Sequence, residues 1–275
     1  DVVVDNFSQG VTKRLGIDHE NLKDVNPKII TCSISGFGDT EVNRPAYDNL
    51  IQGYAGAMSI TGTDKENPVK SGIPIADLGA GLYAVIGILS AIQSREKNDS
   101  GEHVDISMLD TQVSLLTYMA TMHFLSGENP EPIGNQHMNH VPFNSYRTSD
   151  GFIQIGVVAE DFWPSLIEAL DLKQLDTEEN KLRIGRLKNR ENIDQAVQEV
   201  FITNTTEHWL KILQEHRVPC GPINTLSETF QDTDLLKRNM IIEVLQDSGA
   251  SVKMPGNPVK ISNHDEEFRR SPKLG

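Results

Sequence analysis

The chain has 275 residues, of which 37% are hydrophobic and 23% charged, and its net charge is −14. This composition is typical of a globular protein with a real core, and its acidity argues against nucleic acid as a partner. No apolar run approaches about 20 residues, so no membrane-spanning helix is expected. The two cysteines, Cys32 and Cys220, make no disulfide framework, which favours a reducing, cytoplasmic location.

The first residues predict a βαβ unit. Val2–Val4 is a short β-branched run, Asp18–Val25 has a helical pattern that stops before Pro27, and Ile29–Ser35 is apolar and runs into a glycine turn. A strand, a helix and a strand within about thirty residues indicate a parallel sheet. A strand at the second residue suggests a fragment of a longer chain, although a native start near a strand is equally consistent with the pattern.

The middle of the chain alternates helices with a strand. Asp48–Ile60 has helical character, Asp77–Arg95 is the longest predicted helix, residues 103–109 alternate as a strand, and Asp110–Leu125 is a further apolar helix. Residues 127–140 are rich in Pro, Gly and Asn and predict a linker between domains.

The residues after this linker have a different pattern. Asp150-Gly151 between two apolar alternations predicts a hairpin. Thr206 is a candidate N-cap for the helix that it begins. The predicted elements are strands at Phe143–Arg147, Phe152–Val158, Ile241–Gln246 and Val252–Met254 and helices at Glu160–Leu170, Arg190–Phe201 and Thr206–Glu215.

Asp77 is the first candidate for chemistry. Aspartate is a preferred N-cap, so a capping role explains it without any function. However, Gly79, Gly81 and Gly87 follow within the helix, and each costs about 1 kcal/mol relative to alanine. Such a helix must gain from close approach by another backbone or by a ligand, while its large aliphatic residues are expected to be buried. A carboxylate at this helix start is therefore also a candidate nucleophile.

Two further stretches are candidates for binding. Tyr47 precedes Asp48, which is a candidate cap for its own helix, and the Tyr47 phenol is a candidate donor. The loop "DNFSQGVTKR" offers Asn6, Phe7 and Arg14 after a strand, which suits a phosphate or nucleotide ligand as well as an ordinary loop. No Gly-x-Gly-x-x-Gly, Walker or Gly-x-Ser-x-Gly motif is present, and no His or Cys pair has metal-ligand spacing with a third partner.

These blocks together resemble a known family. "DVVVDNFSQGVTKRLGID", "RPAYDNLIQGYAG", "IPIADLGAGLYAVIGILSAI", "GEHVDISMLD", "PFNSYRTSDGFIQI" and "VPCGPINT" occur in the order found in the family III CoA-transferases. That family includes formyl-CoA and carnitine CoA-transferases and the α-methylacyl-CoA racemases. The resemblance implies a Rossmann-like large α/β domain formed from both chain ends, a smaller inserted α/β domain and an interlocked, ring-like homodimer.

The resemblance also implies the bounds of these domains. Residues 1–126 would belong to the large domain, whose first part would be missing, and 127–140 would be the linker. Residues 141–224 would form the small domain, and 225–275 would return to the large one.

The resemblance assigns roles as well. It implies that Asp77 is the nucleophile, that Asn6, Phe7 and Arg14 contact coenzyme A, and that acyl-CoA is a substrate with no metal and no covalently bound cofactor. Racemases of the family have histidine at the position of Tyr47, and a tyrosine with a pKa of about 10 is a poor base at neutral pH. Transfer of CoA to a small carboxylic acid is therefore favoured over epimerisation. A catalytically silent CoA-binding fragment is the third hypothesis.

Overall fold

The computed structural model describes residues 1–42, 44–263 and 266–270. The chain divides into two compact units, Asp1–Met138 and Asn139–Gly275. Both contain helices and strands, so the predicted α/β class is confirmed. The predicted domain bounds, including the return of residues 225–275 to the large domain, stay predictions, as does the interlocked dimer.

The first unit contains a parallel three-stranded sheet in the order β1-β2-β3, which confirms the predicted βαβ unit. Strand β1 pairs with β2 from Val2 beside Ile30 to Asp5 beside Ser33. The elements are β1 (Val2–Asp5), α1 (Val11–Leu15), α2 (His19–Val25), β2 (Ile30–Ser35), α3 (Asp48–Tyr54), α4 (Ile75–Asn98), β3 (His103–Ser107), α5 (Met108–Ser114) and α6 (Tyr118–Ser126).

Helix α4 packs closely against this sheet and against α5. Strand alternation puts Cys32 on the face of β2 opposite to Thr31, and Cys32 lies beside Val104 of β3. A Cβ at Gly87 would come within 2.6 Å of Val104 Cγ1, and one at Gly79 within 2.9 Å of a side-chain carbon of α5. These two glycines therefore serve close packing of the helix against its neighbours rather than the approach of a ligand.

The buried face of α4 consists of small residues, contrary to the prediction that its large aliphatic residues are buried. Small side chains let the helix approach its neighbours, so the larger ones lie on its outer side. The buried residues are Ala76, Gly79, Ala80, Ala84 and Ala91. The exposed aliphatic residues are Leu78, Leu82, Val85, Ile86 and Leu89.

Helix α4 is also long and apolar enough to cross a membrane by length and composition alone, a test that core helices of soluble proteins pass as well. The expectation that no segment reaches this length was wrong, because the apolar residues of α4 continue on both sides of Asp77, the one charged residue in its first turns.

Two predicted helices are interrupted. The segment Asp48–Ile60 consists of α3 and a 3₁₀ turn at Ala57–Ile60. The segment Asp110–Leu125 is divided between α5 and α6, because Thr117 adopts a φ of 50° between them. A positive φ at a β-branched residue is incompatible with a continuous right-handed helix.

The second unit contains an antiparallel sheet in the order β4-β5-β6 and a separate β7-β8 hairpin, so the predicted hairpin is confirmed. Thr205 caps α10, and the prediction of Thr206 as the cap was wrong by one residue. The elements are β4 (Phe143–Arg147), β5 (Phe152–Gly156), α7 (Phe162–Ala169), α8 (Arg183–Lys188), α9 (Arg190–Phe201), α10 (Thr206–Glu215), β6 (Cys220–Pro222), α11 (Leu226–Thr229), α12 (Thr233–Lys237), β7 (Ile241–Leu245) and β8 (Ser251–Pro255).

The core of the second unit encloses a charged side chain. Arg186 is 1% exposed among Trp163 and other apolar residues. Its guanidinium donates to Val141 O at 2.8 Å and to Asn180 O at 3.0 Å, and it pairs with Glu160 at 2.8 Å. A buried charge lowers stability unless it is paired and hydrogen-bonded, and these contacts meet that need. Arg186 therefore holds together the segments around residues 141, 160 and 180 in the core of this unit.

Candidate active site

The candidate site lies at the carboxyl end of the parallel sheet, where ligands bind in open α/β folds. The loops after β1 and β2 meet the start of α4 there, around a cavity of about 380 Å³. Its lining comes from residues 6–9, 34–38, 42, 44–47, 77 and 108. A Cβ at Gly36 would lie 2.1 Å from the Ala46 Cβ, so only glycine allows these two wall segments to touch.

The structure brings four of the five predicted site residues together. Asn6, Phe7, Tyr47 and Asp77 all line this cavity, whereas Arg14, on α1, is not among its lining residues. The Asn6 side-chain amide donates to Ile34 O at 2.8 Å and so ties the loop after β1 to strand β2. Phe7 remains half exposed, with its ring available to a ligand.

Asp77 is the third residue of α4 and does not cap it, contrary to the capping interpretation. The helix begins at Ile75, and its N-cap position, Pro74, offers no side-chain hydrogen bond. Among the described residues, no donor is hydrogen-bonded to the Asp77 carboxylate, which is exposed in the cavity. Burial and the neighbouring Asp48 carboxylate raise the pKa of Asp77 above its usual value.

Asp48 supplies the missing cap of α4 from a different helix. Its Oδ1 accepts from the backbone N–H of Ala76 at 2.9 Å and of Asp77 at 3.4 Å. Its Oδ2 accepts from Gln52 Nε2 at 2.6 Å, and the Gln52 Oε1 accepts from Ser71 N at 2.8 Å. Asp48 was predicted to cap its own helix, but Tyr47 occupies that N-cap position and makes no capping bond.

Arg44 is a wall residue for which the sequence suggested no role. Its guanidinium lies 4.6 Å from the centre of the Phe37 ring and 4.4 Å from that of Tyr54. These rings come from the loop after β2 and from the end of α3, so sequence spacing gave no sign of the arrangement. Arg44 is the one cation among the described lining residues of the cavity.

A second cavity of about 390 Å³ lies along the polar face of the sheet and shares residues 7–9, 35 and 38 with the first. Thr31 Oγ1 lies 2.7 Å from His103 Nδ1 and 3.0 Å from His19 Nδ1. Burial and the nearby His103 lower the pKa of His19. In the described ranges, no group of three or more His, Cys, Asp or Glu side chains is placed to hold a metal ion.

Comparison with known proteins identifies the class. The model of CoA-transferase family III matches residues 1–275. The chain therefore belongs to this family and is an enzyme of the CoA-transferase class.

Individual relatives agree with this assignment. The chain is 31% identical to succinate–glutarate CoA-transferase of Agrobacterium fabrum, over 100% of the chain and 70% of that protein. It is 32% identical to acetyl-CoA:oxalate CoA-transferase of Acetobacter aceti, over 100% of the chain and 71% of that protein. A solved CAIB/BAIF family protein of Brucella suis matches with a TM-score of 0.87 and 34% identity, over 100% of the chain and 72% of that structure.

Proposed function

We propose that the protein transfers coenzyme A from an acyl-CoA thioester to a small carboxylic acid, with Asp77 as the nucleophile. The observation that carries the proposal is the state of the Asp77 carboxylate. No residue in the described part of the chain donates a hydrogen bond to it, and it lines the same cavity as Asn6 and Phe7. A carboxylate without internal partners is free to attack, and the rigid helix that bears it limits the entropy lost on reaction.

The proposed reaction is a double exchange at one carboxylate. An Asp77 oxygen attacks the thioester carbonyl, the C–S bond breaks, CoA leaves as a thiolate, and an acyl-aspartyl anhydride remains. The thiolate then attacks the aspartyl carbonyl, which releases the donor acid and leaves an aspartyl-CoA thioester. The acceptor carboxylate attacks this thioester, which breaks its C–S bond, releases the CoA thiolate and forms an anhydride between the acceptor acid and Asp77. The CoA thiolate finally attacks the acceptor carbonyl of this anhydride, which gives the new acyl-CoA and restores the Asp77 carboxylate.

The oxyanions of these steps need a hydrogen-bond donor. The N–H groups of Ala76 and Asp77 bond to Asp48, and that of Leu78 bonds to Pro74 O at 3.0 Å, so these first-turn amides are already engaged. We therefore assign the donor role to the Tyr47 hydroxyl, which is exposed on the same wall.

Trapping of the covalent intermediate tests the proposal. The protein is incubated with acyl-CoA donors, treated with hydroxylamine or borohydride, and digested for mass spectrometry. Modification is expected on the peptide that contains Asp77, and it should vanish in Asp77→Asn. It should persist in Asp110→Asn, because Asp110 also lies in the first turn of a helix but outside this cavity.

Two results would count against the proposal. Absence of an adduct with several acyl donors would contradict a nucleophilic Asp77. Deuterium exchange at the α-carbon of a 2-methylacyl-CoA, without any acceptor acid, would instead identify a racemase.

The proposal includes a cytoplasmic, interlocked homodimer, which the family resemblance implies. Exposed aliphatic residues of α4, among them Leu82 and Leu89, support a face that another surface covers. Light scattering after size-exclusion chromatography tests the oligomeric state, and a monomer at all concentrations would contradict this part.

A further inference from the structure

The Arg44 side chain is exposed, and its guanidinium lies against two aromatic rings. The buried ring of Phe37 and the ring of Tyr54 both lie within 4.6 Å of its central carbon. The two rings meet edge to face, with an interplanar angle of 83°. Contacts of this kind restrain a planar cation through the electrostatic field of the rings while its N–H groups stay available to other partners.

These N–H groups have no anionic partner within the described part of the chain. No ion pair or hydrogen bond joins the Arg44 guanidinium to a described residue, although the protein carries 39 acidic residues. A guanidinium is well suited to bind carboxylate or phosphate through two parallel hydrogen bonds. A restrained and unpaired guanidinium on a cavity wall therefore points to an oxyanion ligand.

The cavity that Arg44 shares with Asp77 favours one of the two kinds of oxyanion. Arg44 and Asp77 line the same cavity, and under the proposed function Asp77 meets the thioester end of the CoA substrate. The long pantetheine arm separates the thioester sulfur from the phosphates of CoA. The oxyanion near the reacting carbonyl is therefore a carboxylate of the acyl group or of the acceptor acid.

We propose that Arg44 binds the second carboxylate of a dicarboxylic substrate while the first carboxylate, or its thioester, faces Asp77. This inference rests on the proposed function and adds to it a substrate class and the residue that selects it. A monocarboxylic acid of equal length leaves the guanidinium unpaired, which is how a polar site rejects a ligand that lacks the matching group.

Matched substrates and matched variants test this role. Transfer to succinate and glutarate is compared with transfer to butyrate and valerate, from acetyl-CoA, in the wild type, in Arg44→Gln and in Arg44→Lys. Arg147→Gln is the control, because Arg147 also stacks on an aromatic ring, that of Phe152, but does not line this cavity.

The expected result is a selective loss. In Arg44→Gln, kcat/KM for the dicarboxylates falls about 10- to 100-fold, as expected when charge-assisted hydrogen bonds are lost. For the monocarboxylates it stays within about twofold, Arg44→Lys is intermediate, and Arg147→Gln is unchanged. Circular dichroism checks that the variants are folded.

Other outcomes would overturn the inference. An equal loss for both acid classes would refute selection by Arg44, and weaker inhibition by free CoA in Arg44→Gln would assign the guanidinium to a CoA phosphate.

Calorimetry with Asp77→Asn separates this inference from the proposed function. Without the nucleophile, tighter binding of succinate than of butyrate should persist and should disappear in Asp77→Asn combined with Arg44→Gln. If the preference persists and the wild type forms no Asp77 adduct, only the catalytic proposal fails. If the adduct forms but no preference depends on Arg44, only the present inference fails.

Discussion

Replacement of Asp48 with alanine removes the cap of α4 and the partner of a buried amide at once. Loss of a capping carboxylate costs about 1 kcal/mol. Gln52 is 1% exposed, and loss of the bond from its Nε2 leaves a buried donor unsatisfied, at a cost of about 1–3 kcal/mol. The two effects together predict that Asp48→Ala lowers the free energy of unfolding by about 2–4 kcal/mol.

Urea unfolding, followed by circular dichroism, measures this loss. Asp48→Asn is the informative companion, since its side-chain oxygen still accepts from Ala76 N while its amide cannot accept from Gln52. It should therefore lose less stability than Asp48→Ala. Asp110→Ala removes a first-turn aspartate without a side-chain hydrogen bond, and its cost should stay below about 1 kcal/mol. A loss in Asp48→Ala no larger than in Asp110→Ala would refute the assigned capping role.

Three other perturbations have defined outcomes. The pKa of His19 is lowered from 6.5, so the unfolded chain binds a proton more readily than the folded protein, and stability should fall as the pH drops below 6.5. In thermal melts at several pH values, His19→Asn should weaken this pH dependence, and an unchanged dependence would contradict the prediction. Arg186→Met should lower the free energy of unfolding in urea by about 3 kcal/mol, because it leaves buried carbonyl groups without a donor. Arg183 is exposed, so Arg183→Met should lower it by less than about 0.5 kcal/mol. Equal losses would contradict the structural role assigned to Arg186. Gly87→Ala should destabilise the protein by about 1–3 kcal/mol, because the added methyl group would meet Val104. Gly81 has open space around it, so Gly81→Ala should stabilise the protein by about 0.5–1 kcal/mol. Melting temperatures that shift in the same direction for both variants would contradict this packing argument.

Local patterns were sufficient for most elements. The β-branched run at Val2–Val4, the Asp150-Gly151 turn and the amphipathic Arg190–Phe201 each have a signal within a few residues. The structure has a strand, a hairpin turn and a helix at these places. These signals depend on neighbours along the chain, so no tertiary information was needed. The burial of α4 could not be predicted in the same way. Its large residues suggest the buried face, but the space left by the sheet and α5 admits only alanine and glycine on that face.

The candidate site could be predicted less well from the sequence, because the cap of α4 comes from a distant residue. Asp48 bonds to the N–H groups of Ala76 and Asp77, which lie 28 and 29 positions further along the chain. The sequence offered Asp77 as a cap or as a nucleophile, two roles that use the same carboxylate. The structure separates them: Asp48 caps the helix, and the Asp77 carboxylate is left without a described donor. Burial, and second to it the Asp48 carboxylate, raise the pKa of Asp77. Ionisation of Asp77 is therefore less favourable in the folded protein than in the unfolded chain, so stability falls as pH rises through the pKa of Asp77. Since Asp48 caps α4, the helix does not need the Asp77 carboxylate for its start, and the proposed nucleophilic role gives that carboxylate a purpose.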